Sequence, residues 1–483
     1  MSAEFTATLA WLALALQVAL GLLCAWHALI SKRDPRSALA WIGISLLLPL
    51  GGPLLYFLFG VNRIRTRGRR LGTRFPLPMA FDYEQPDDAD LAEPAAPGPL
   101  DGLPAGPIAR ASARISRRQC LPGNRIEHLH NGEQAYPAMV EAIRSAERYV
   151  YLSTYIFGVH GAARDIVEAL CAARRRGVTV CVLIDGLGHW YTLARAAPAL
   201  RRGDVRVALF LPLRLWPPSL HVNLRNHRKI LVVDGEIAFT GGMNIADYHV
   251  LGDGKGFRVA DLHLRLTGPV VSQIESVFAE DWQFATGQTL PDPKPARPNA
   301  HGAACRVITD GPNEDLDRLA LVLLAAVSAA QRRIAIVTPY FLPSRELVGA
   351  LQAAALRGVA VSILLPGRNN LPYVHWATRN MLWELLQHGV EVRYQPPPFV
   401  HTKVLLVDDD YAQVGSANLD PRSLRLNFEL NVEVFDADFN AALGENFATA
   451  WAAARPVTLD EISGRGLAER TRDAACWLFS PYL

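Results

Sequence analysis

The chain begins with two long apolar runs. Residues 5–30 carry only mild polar interruptions, Gln17 and His27. At about 1.5 Å per residue such a helix crosses a hydrocarbon core of about 30 Å. A polar turn, Ser31-Lys32-Arg33-Asp34-Pro35-Arg36, leads into a second run over 37–60, where Pro49, Gly51, Gly52 and Pro53 predict a kink. A cleavable leader is disfavoured, because the first run has no basic start and a second run follows it directly. The pattern predicts a transmembrane helical hairpin with a basic flank over residues 1–70.

The pattern then changes twice. Residues 71–115 are rich in Pro, Gly, Ala and acid, including Asp82, Glu84, Asp87, Asp88, Asp90 and Glu93, which predicts a flexible linker. Beyond it, β-branched apolar runs alternate with Ala/Leu/Arg-rich stretches, the signature of an α/β fold. A strand is expected over 149–157, a helix over 162–175 and a strand over 178–184. The same order returns as a strand over 333–337, a helix over 344–356 and a strand over 361–365. Arg176-Gly177-Val178 and Arg357-Gly358-Val359 mark the two copies, 181 positions apart. A duplication of that period predicts two similar α/β/α halves, 116–296 and 297–483, packed face to face with a site between them.

Composition narrows the class. Half of the 483 residues are apolar, a fifth are charged, and mean hydropathy is +0.11, which excludes a disordered chain. A net charge of +3 gives no polycationic signature for nucleic acid. The six cysteines show no CxxC pairing, so reduced thiols are expected. Charge also orients the anchor. Arg63, Arg65, Arg67, Arg69, Arg70 and Arg74 follow the second run with no acid among them. The positive-inside rule therefore places that flank and everything after it in the cytosol, with a multi-pass anchor and both termini inside.

Two short segments carry the chemistry. His227-Arg228-Lys229 leads through an apolar run to Asp234 and then Gly241-Gly242-Met243-Asn244. His401-Thr402-Lys403 leads likewise to Asp408 and then Gly415-Ser416-Ala417-Asn418. All marked positions are 174 residues apart. With 13 His and five Lys in the chain, chance yields roughly 0.1 HxK triplets, so two in register with a repeat are no coincidence. His and Lys at i and i+2 project from one face of a strand. Lys229 and Lys403 supply fixed cations for phosphate oxygens, Asn244 and Asn418 supply amide donors, and the histidines supply a nucleophile and a general acid/base. Asp234 and Asp408 complete the catalytic motifs; at a turn they read as hydrogen-bonding structure more than as reactive groups. A metal is disfavoured, because a lysine beside each histidine repels a cation and no acidic or thiol cluster completes a shell.

These segments resemble the duplicated HKD motifs of the phospholipase D superfamily, and the surrounding sequence is similar more narrowly to bacterial cardiolipin synthases. The likeness includes Trp41 with Pro49 through Tyr56, Phe59-Gly60, Asn62-Arg63, Tyr155-Ile156-Phe157, Leu183-Ile184-Asp185-Gly186 and Thr338-Pro339-Tyr340-Phe341. It continues through GSANLDPRSLRLNFE, from Gly415 to Glu429, to Ser480-Pro481-Tyr482-Leu483. Two departures, Gly158-Val159-His160 and Asn369-Asn370, lie outside the motifs and bear on head-group preference. The resemblance implies a phosphatidyltransferase that joins two phosphatidylglycerols into cardiolipin and glycerol through a phosphohistidine, with no cofactor. It implies membrane lipids, not nucleic acid, as partners. It also implies two orienting carboxylates, Asp261 beside His227 and Glu429 beside His401, with His227 as nucleophile and His401 as acid/base. Hydrolysis to phosphatidic acid by a membrane phospholipase D is the alternative; a nucleic-acid phosphodiesterase and a non-catalytic scaffold fit the anchor and the intact motifs less well.

Overall fold

The computed structural model describes residues 3–32, 35–48, 50–60, 105–191, 195–212, 224–252, 256–311 and 317–480. The basic flank Arg63–Arg74, the acidic stretch Asp82–Glu93 and Pro481-Tyr482-Leu483 lie outside the described residues. The chain divides into two units, Met1–Arg74 and Phe75–Leu483.

In the first unit, Ala3–Ser31 is the one described helix long and apolar enough to cross a membrane. The second apolar run is not one continuous helix. Pro35–Leu47 has 13 residues, about 20 Å of helix, short of the hydrocarbon thickness. The chain then breaks at Leu50, whose φ is 52°, and returns through Gly51–Leu55 and a wider turn, Tyr56–Gly60. Lys32 Nζ donates to Gly60 O at 2.6 Å, so the end of the run comes back beside its start. Tyr56 closes the return: its hydroxyl lies 2.6 Å from His27 Nδ1 and its ring meets Trp41 edge-on. Gly52 permits it, since a Cβ there would lie 2.1 Å from Ile44 O. Among the described residues the expected hairpin takes the form of one long helix followed by a shorter helix and a reversal. The Pro/Gly cluster that predicted a kink produces a reversal.

The second unit holds the duplication. Half 1 contributes β1 (Leu121–His130), β2 (Tyr149–Thr154), β3 (Thr179–Asp185), β4 (Arg206–Phe210), β5 (Arg225–Asn226), β6 (Ile230–Val233), β7 (Ile237–Gly241), β8 (Val259–Ala260) and β9 (Leu262–Thr267). Half 2 contributes β10 (Ala303–Asp310), β11 (Arg333–Val337), β12 (Ala360–Pro366), β13 (Glu391–Gln395), β14 (Phe399–Val400), β15 (Val404–Val407), β16 (Tyr411–Gly415) and β17 (Asn427–Phe435). The strand orders match, β4-β3-β2-β6-β7-β9-β1 and β13-β12-β11-β15-β16-β17-β10, and β1 pairs antiparallel with β10 to join them.

Period-2 alternation explains how the halves face each other. Ile230 and Val232 of β6 point into a central core shared by both halves, and Leu231 and Val233 into the outer core of half 1. In half 2, Val404 and Leu406 face the central core, and Leu405 and Val407 the outer one. Helices Val270–Thr286 and Ala437–Ala453 contribute Ile274, Phe278, Phe439 and Leu443 to the central core.

The linker ends earlier than residue 115. Gly106–Ser116 is a helix whose Ile108 and Ala109 join the outer core of half 2. It is pinned by the buried Arg306, which donates to Ala109 O at 3.0 Å and Ser112 Oγ at 2.6 Å while pairing with Glu433 at 2.8 Å.

Candidate active site

Each HxK segment sits between a two-residue strand and a four-residue strand, and the short strands leave their own half. In half 1, β5 pairs parallel with β17 of half 2, Asn226 opposite Phe428. In half 2, β14 pairs parallel with β8 of half 1, Val400 opposite Ala260. The exchange carries on into the motifs: His227 N donates to Phe428 O at 2.9 Å, and His401 N to Ala260 O at 2.7 Å. The residues that follow those carbonyls are Glu429 and Asp261.

The carboxylates are therefore swapped relative to the sequence expectation. His227 Nδ1 lies 3.1 Å from the Glu429 carboxylate, and His401 Nδ1 lies 2.8 Å from Asp261 Oδ2. Nearness along the chain favoured partners within one half; the strand exchange brings each histidine to the other half's carboxylate. Both carboxylates are fully buried, and both histidine side chains are 12% exposed. A carboxylate on Nδ1 fixes the ring and directs Nε2 outward to a substrate.

The lysines lie against the histidines. Lys229 Nζ donates to His227 O at 2.6 Å. Lys403 Nζ donates to His401 O and lies 2.7 and 3.0 Å from the two ring nitrogens of His401. Burial pushes the Lys229 ammonium down to about 7 and that of Lys403 to about 8. Burial also lowers both imidazoles, unequally. At His227 the Glu429 charge opposes the fall; His401 drops well below its ordinary value, with Lys403, Lys229 and His227 all acting against its cation. Burial would raise Glu429, but His227, Lys229 and a hydrogen bond from Ser416 hold it below the usual range. Asp261 is raised by burial, against Lys403 and His249.

The remaining expected residues divide. Asn244 Nδ2 lies 3.5 Å from Tyr248 Oη, and Asn244 Oδ1 accepts from Ile156 N at 3.2 Å. Asn418 Nδ2 donates to Ser423 Oγ at 3.1 Å. Both amides are buried; Asn418 Oδ1 has no hydrogen-bond partner among the described residues. Asp234 and Asp408 stand at the far end of β6 and β15 from the histidines, with φ of 53° and 50°. Asp234 accepts from the backbone N–H groups of Glu147, Arg148 and Tyr149, each at 2.8 Å. Asp408 accepts from those of Gln331, Arg332 and Arg333. They cap the starts of β2 and β11, each aspartate holding a turn.

A family model described as "Cardiolipin synthase, PLD-like domain" matches residues 139–282 and 323–451, one segment over each HxK motif. The chain belongs to the cardiolipin synthase family. A second model, "Phospholipase_D-nuclease N-terminal", matches residues 19–60. The chain is 33% identical over 447 residues to cardiolipin synthase A of Pseudomonas putida, covering 92% of this chain and 91% of that one. It is 30% identical over 463 residues to a cardiolipin synthase of Geobacillus kaustophilus, covering 94% and 90%. In fold it is similar to the crystal structure of a phosphatidylserine synthase from Haemophilus influenzae, with a TM-score of 0.59 at 16% identity, covering 78% of this chain and 100% of that one.

Within this cardiolipin synthase framework the structure gives surroundings to residues for which the sequence assigned no role. Ser416 and Gly242 occupy equivalent positions, yet only Ser416 donates to a carboxylate, that of Glu429. At Gly242 a Cβ would lie 2.4 Å from Asp261 Oδ1, so the absence of a side chain makes room for Asp261. His249 and His263 are buried near Asp261, and burial lowers them to about 3 and about 4. Single histidines outside a motif carry no sequence signal for this. Tyr155 packs edge-on to His227 at 5.4 Å and Tyr340 to His401 at 6.4 Å, one ring from each half. Asn370, one of the two departures, accepts the Tyr340 hydroxyl at 2.8 Å.

Proposed function

We propose that the chain transfers a phosphatidyl group from one phosphatidylglycerol to a hydroxyl of a second, giving cardiolipin and glycerol. The observation that carries this is the pair of histidines, each held at Nδ1 by a carboxylate of the opposite half, in a chain of this family. The neutral imidazole attacks phosphorus through Nε2. The P–O bond to glycerol breaks, and the other imidazole gives its proton to the departing oxygen. That imidazole, now neutral, takes the proton of the incoming hydroxyl. The hydroxyl oxygen attacks phosphorus and the P–N bond breaks, restoring both rings. Lys229 and Lys403 stabilise the charge on the phosphoryl oxygens, with Asn244 and Asn418 lining the same region.

The roles are assigned from which ring takes a proton more readily. Burial depresses both imidazoles, His401 more strongly, while the Glu429 charge opposes the fall at His227. We therefore assign the proton transfer to the leaving group to His227 and the attack on phosphorus to His401. This differs from the assignment that the resemblance implies: with Glu429 beside His227 and not His401, the carboxylate favours His227 as the acid/base.

Incubating purified full-length protein with phosphatidylglycerol should give cardiolipin and glycerol; phosphatidic acid alone would make water the acceptor. An acid quench followed by peptide mapping should find phosphatidyl on the peptide containing His401. A label on His227 would reverse the roles within the same reaction class.

For the membrane unit we propose one crossing by Ala3–Ser31, with residues 35–60 re-entering the leaflet they started from. Lys32, Arg33 and Arg36 then share the cytosolic side with the flank Arg63–Arg74, in accord with the positive-inside rule, and the N-terminus lies outside. Reporters at residue 2 and residue 87 should sit on opposite faces; the same face for both would restore the two-span hairpin.

A further inference from the structure

The catalytic unit exposes large aromatic side chains beside its reactive rings. On the His227 side, Tyr155 packs against Tyr191 with ring centroids 5.8 Å apart. Tyr191 and the adjoining Trp190 are 64% and 57% exposed, and the Arg195 guanidinium lies 3.7 Å over the Trp190 ring. On the His401 side, Phe399 lies 6.0 Å from His401 and stacks on Phe257 at 6.2 Å. Phe257 is 58% exposed. Each histidine is thus followed outward by a shielded ring and then by an exposed one.

A substrate of the proposed reaction has two acyl chains that remain in a bilayer, while its phosphodiester must reach histidines that are only 12% exposed. The mouth of the site must then meet the membrane at head-group depth. Tryptophan and tyrosine favour that depth, with an apolar body and a polar tip. An arginine stacked on Trp190 adds a cation at the level of lipid phosphates.

We propose that Trp190, Tyr191 and Phe257 form an interfacial rim that docks the mouth of the catalytic site onto an anionic phospholipid bilayer. The rim is a contact of the catalytic unit itself, separate from the N-terminal helix. It rests on the reading of the substrate as a bilayer lipid.

The test uses the full chain carrying W190S and F257S, with glycerol release measured on two substrates. On phosphatidylglycerol vesicles the double variant should lose about tenfold in rate, as expected when interfacial aromatic contacts are removed. On monomeric dihexanoyl-phosphatidylglycerol below its micelle concentration it should stay within about twofold of the parent, since no docking is needed. W190F with F257W, which keeps a ring at each position, should recover the vesicle rate. A parallel loss on both substrates, or no loss on vesicles, would overturn the rim. A parent that released no glycerol from either substrate would overturn the proposed reaction instead, and that outcome is separately visible.

Discussion

The two halves share a strand order and a motif, yet they surround their carboxylates differently. Glu429 of half 2 is ionised and held by Ser416, by Asn427 Nδ2 at 3.1 Å and by His227. Asp261 of half 1 has the empty position Gly242 beside it, a backbone donor from Leu262 N at 2.8 Å, and a pKa raised by burial. Two residues before its histidine, half 1 buries Arg225 near Asp185 at 3.9 Å, where half 2 has Phe399. Duplication supplies two equivalent reactive groups. The differences around the carboxylates give the two imidazoles unequal surroundings, and the proposed roles rest on that inequality. Because the carboxylates are exchanged between halves, neither half owns a complete catalytic pair.

Replacing His227 or His401 by alanine should give the largest effect. Each should cost about four orders of magnitude in turnover, and the double variant little more, because the two act as one unit. Substantial activity in either single variant would break the shared site.

Exchanging the small residues sharpens the comparison. G242S would push a side chain against the Asp261 carboxylate and displace it from His401; about a hundredfold loss in kcat is expected. S416G removes a charge-assisted donor from Glu429 and the hydroxyl that accepts from Leu430 N at 3.0 Å, and about tenfold is expected. Its pH profile should also move. Glu429 must be ionised to support His227, and its folded pKa is held down in part by Ser416. Removing that donor raises the pKa, so activity is lost at a higher pH as pH falls. Equal losses in the two variants, with no shift of the acid limb, would remove the asymmetry.

The lysines set the opposite limb. Lys229 near 7 and Lys403 near 8 carry charge below those values and lose it above them. kcat/KM, which reports the free enzyme, should therefore fall as pH rises through about 7–8. K229R, which stays charged, should move that limb upward. An unchanged limb would mean that Lys229 does not set it.

The smallest effect on chemistry belongs to the motif aspartates. D234A strands three backbone donors at the start of β2, and about 1–3 kcal/mol of stability should be lost in a denaturant titration. The folded enzyme should keep kcat within about threefold, because the aspartate lies at the opposite end of a strand from the histidine. A large kcat loss without loss of stability would return Asp234 to the catalytic set.

Features set by local spacing were legible from sequence. Strand 333–337 and helix 162–175 match Arg333–Val337 and Ala162–Arg175, because alternation and helical period are read within one window. The histidines and lysines were legible because their spacing recurs in register with the repeat, although the HxK residues lie between two strands and not on one. The swap of Asp261 and Glu429 was not, because it depends on β5 and β14 pairing across halves, and two-residue strands leave almost no pattern. The re-entrant turn at Leu50 was half legible: Pro49, Gly51 and Gly52 predicted a break, but the contact of Lys32 with Gly60 that makes it a reversal is tertiary. Helix Gly106–Ser116 could have been found from Pro107 in its first turn and the buried face of Ile108 and Ser112.

The exchange of carboxylates is tested most directly by titrating the two imidazoles themselves. With 13C-labelled histidine in the full chain, the His227 and His401 signals can be assigned by loss in H227Q and H401Q and followed across pH in the parent, E429Q and D261N. E429Q should lower the pKa of His227 by about a unit or more and leave His401 nearly unmoved, since a charge in contact outweighs one across the site. D261N should act on His401. If E429Q instead moved His401 and D261N moved His227, each carboxylate would belong to the histidine of its own half, and the exchanged site would be wrong.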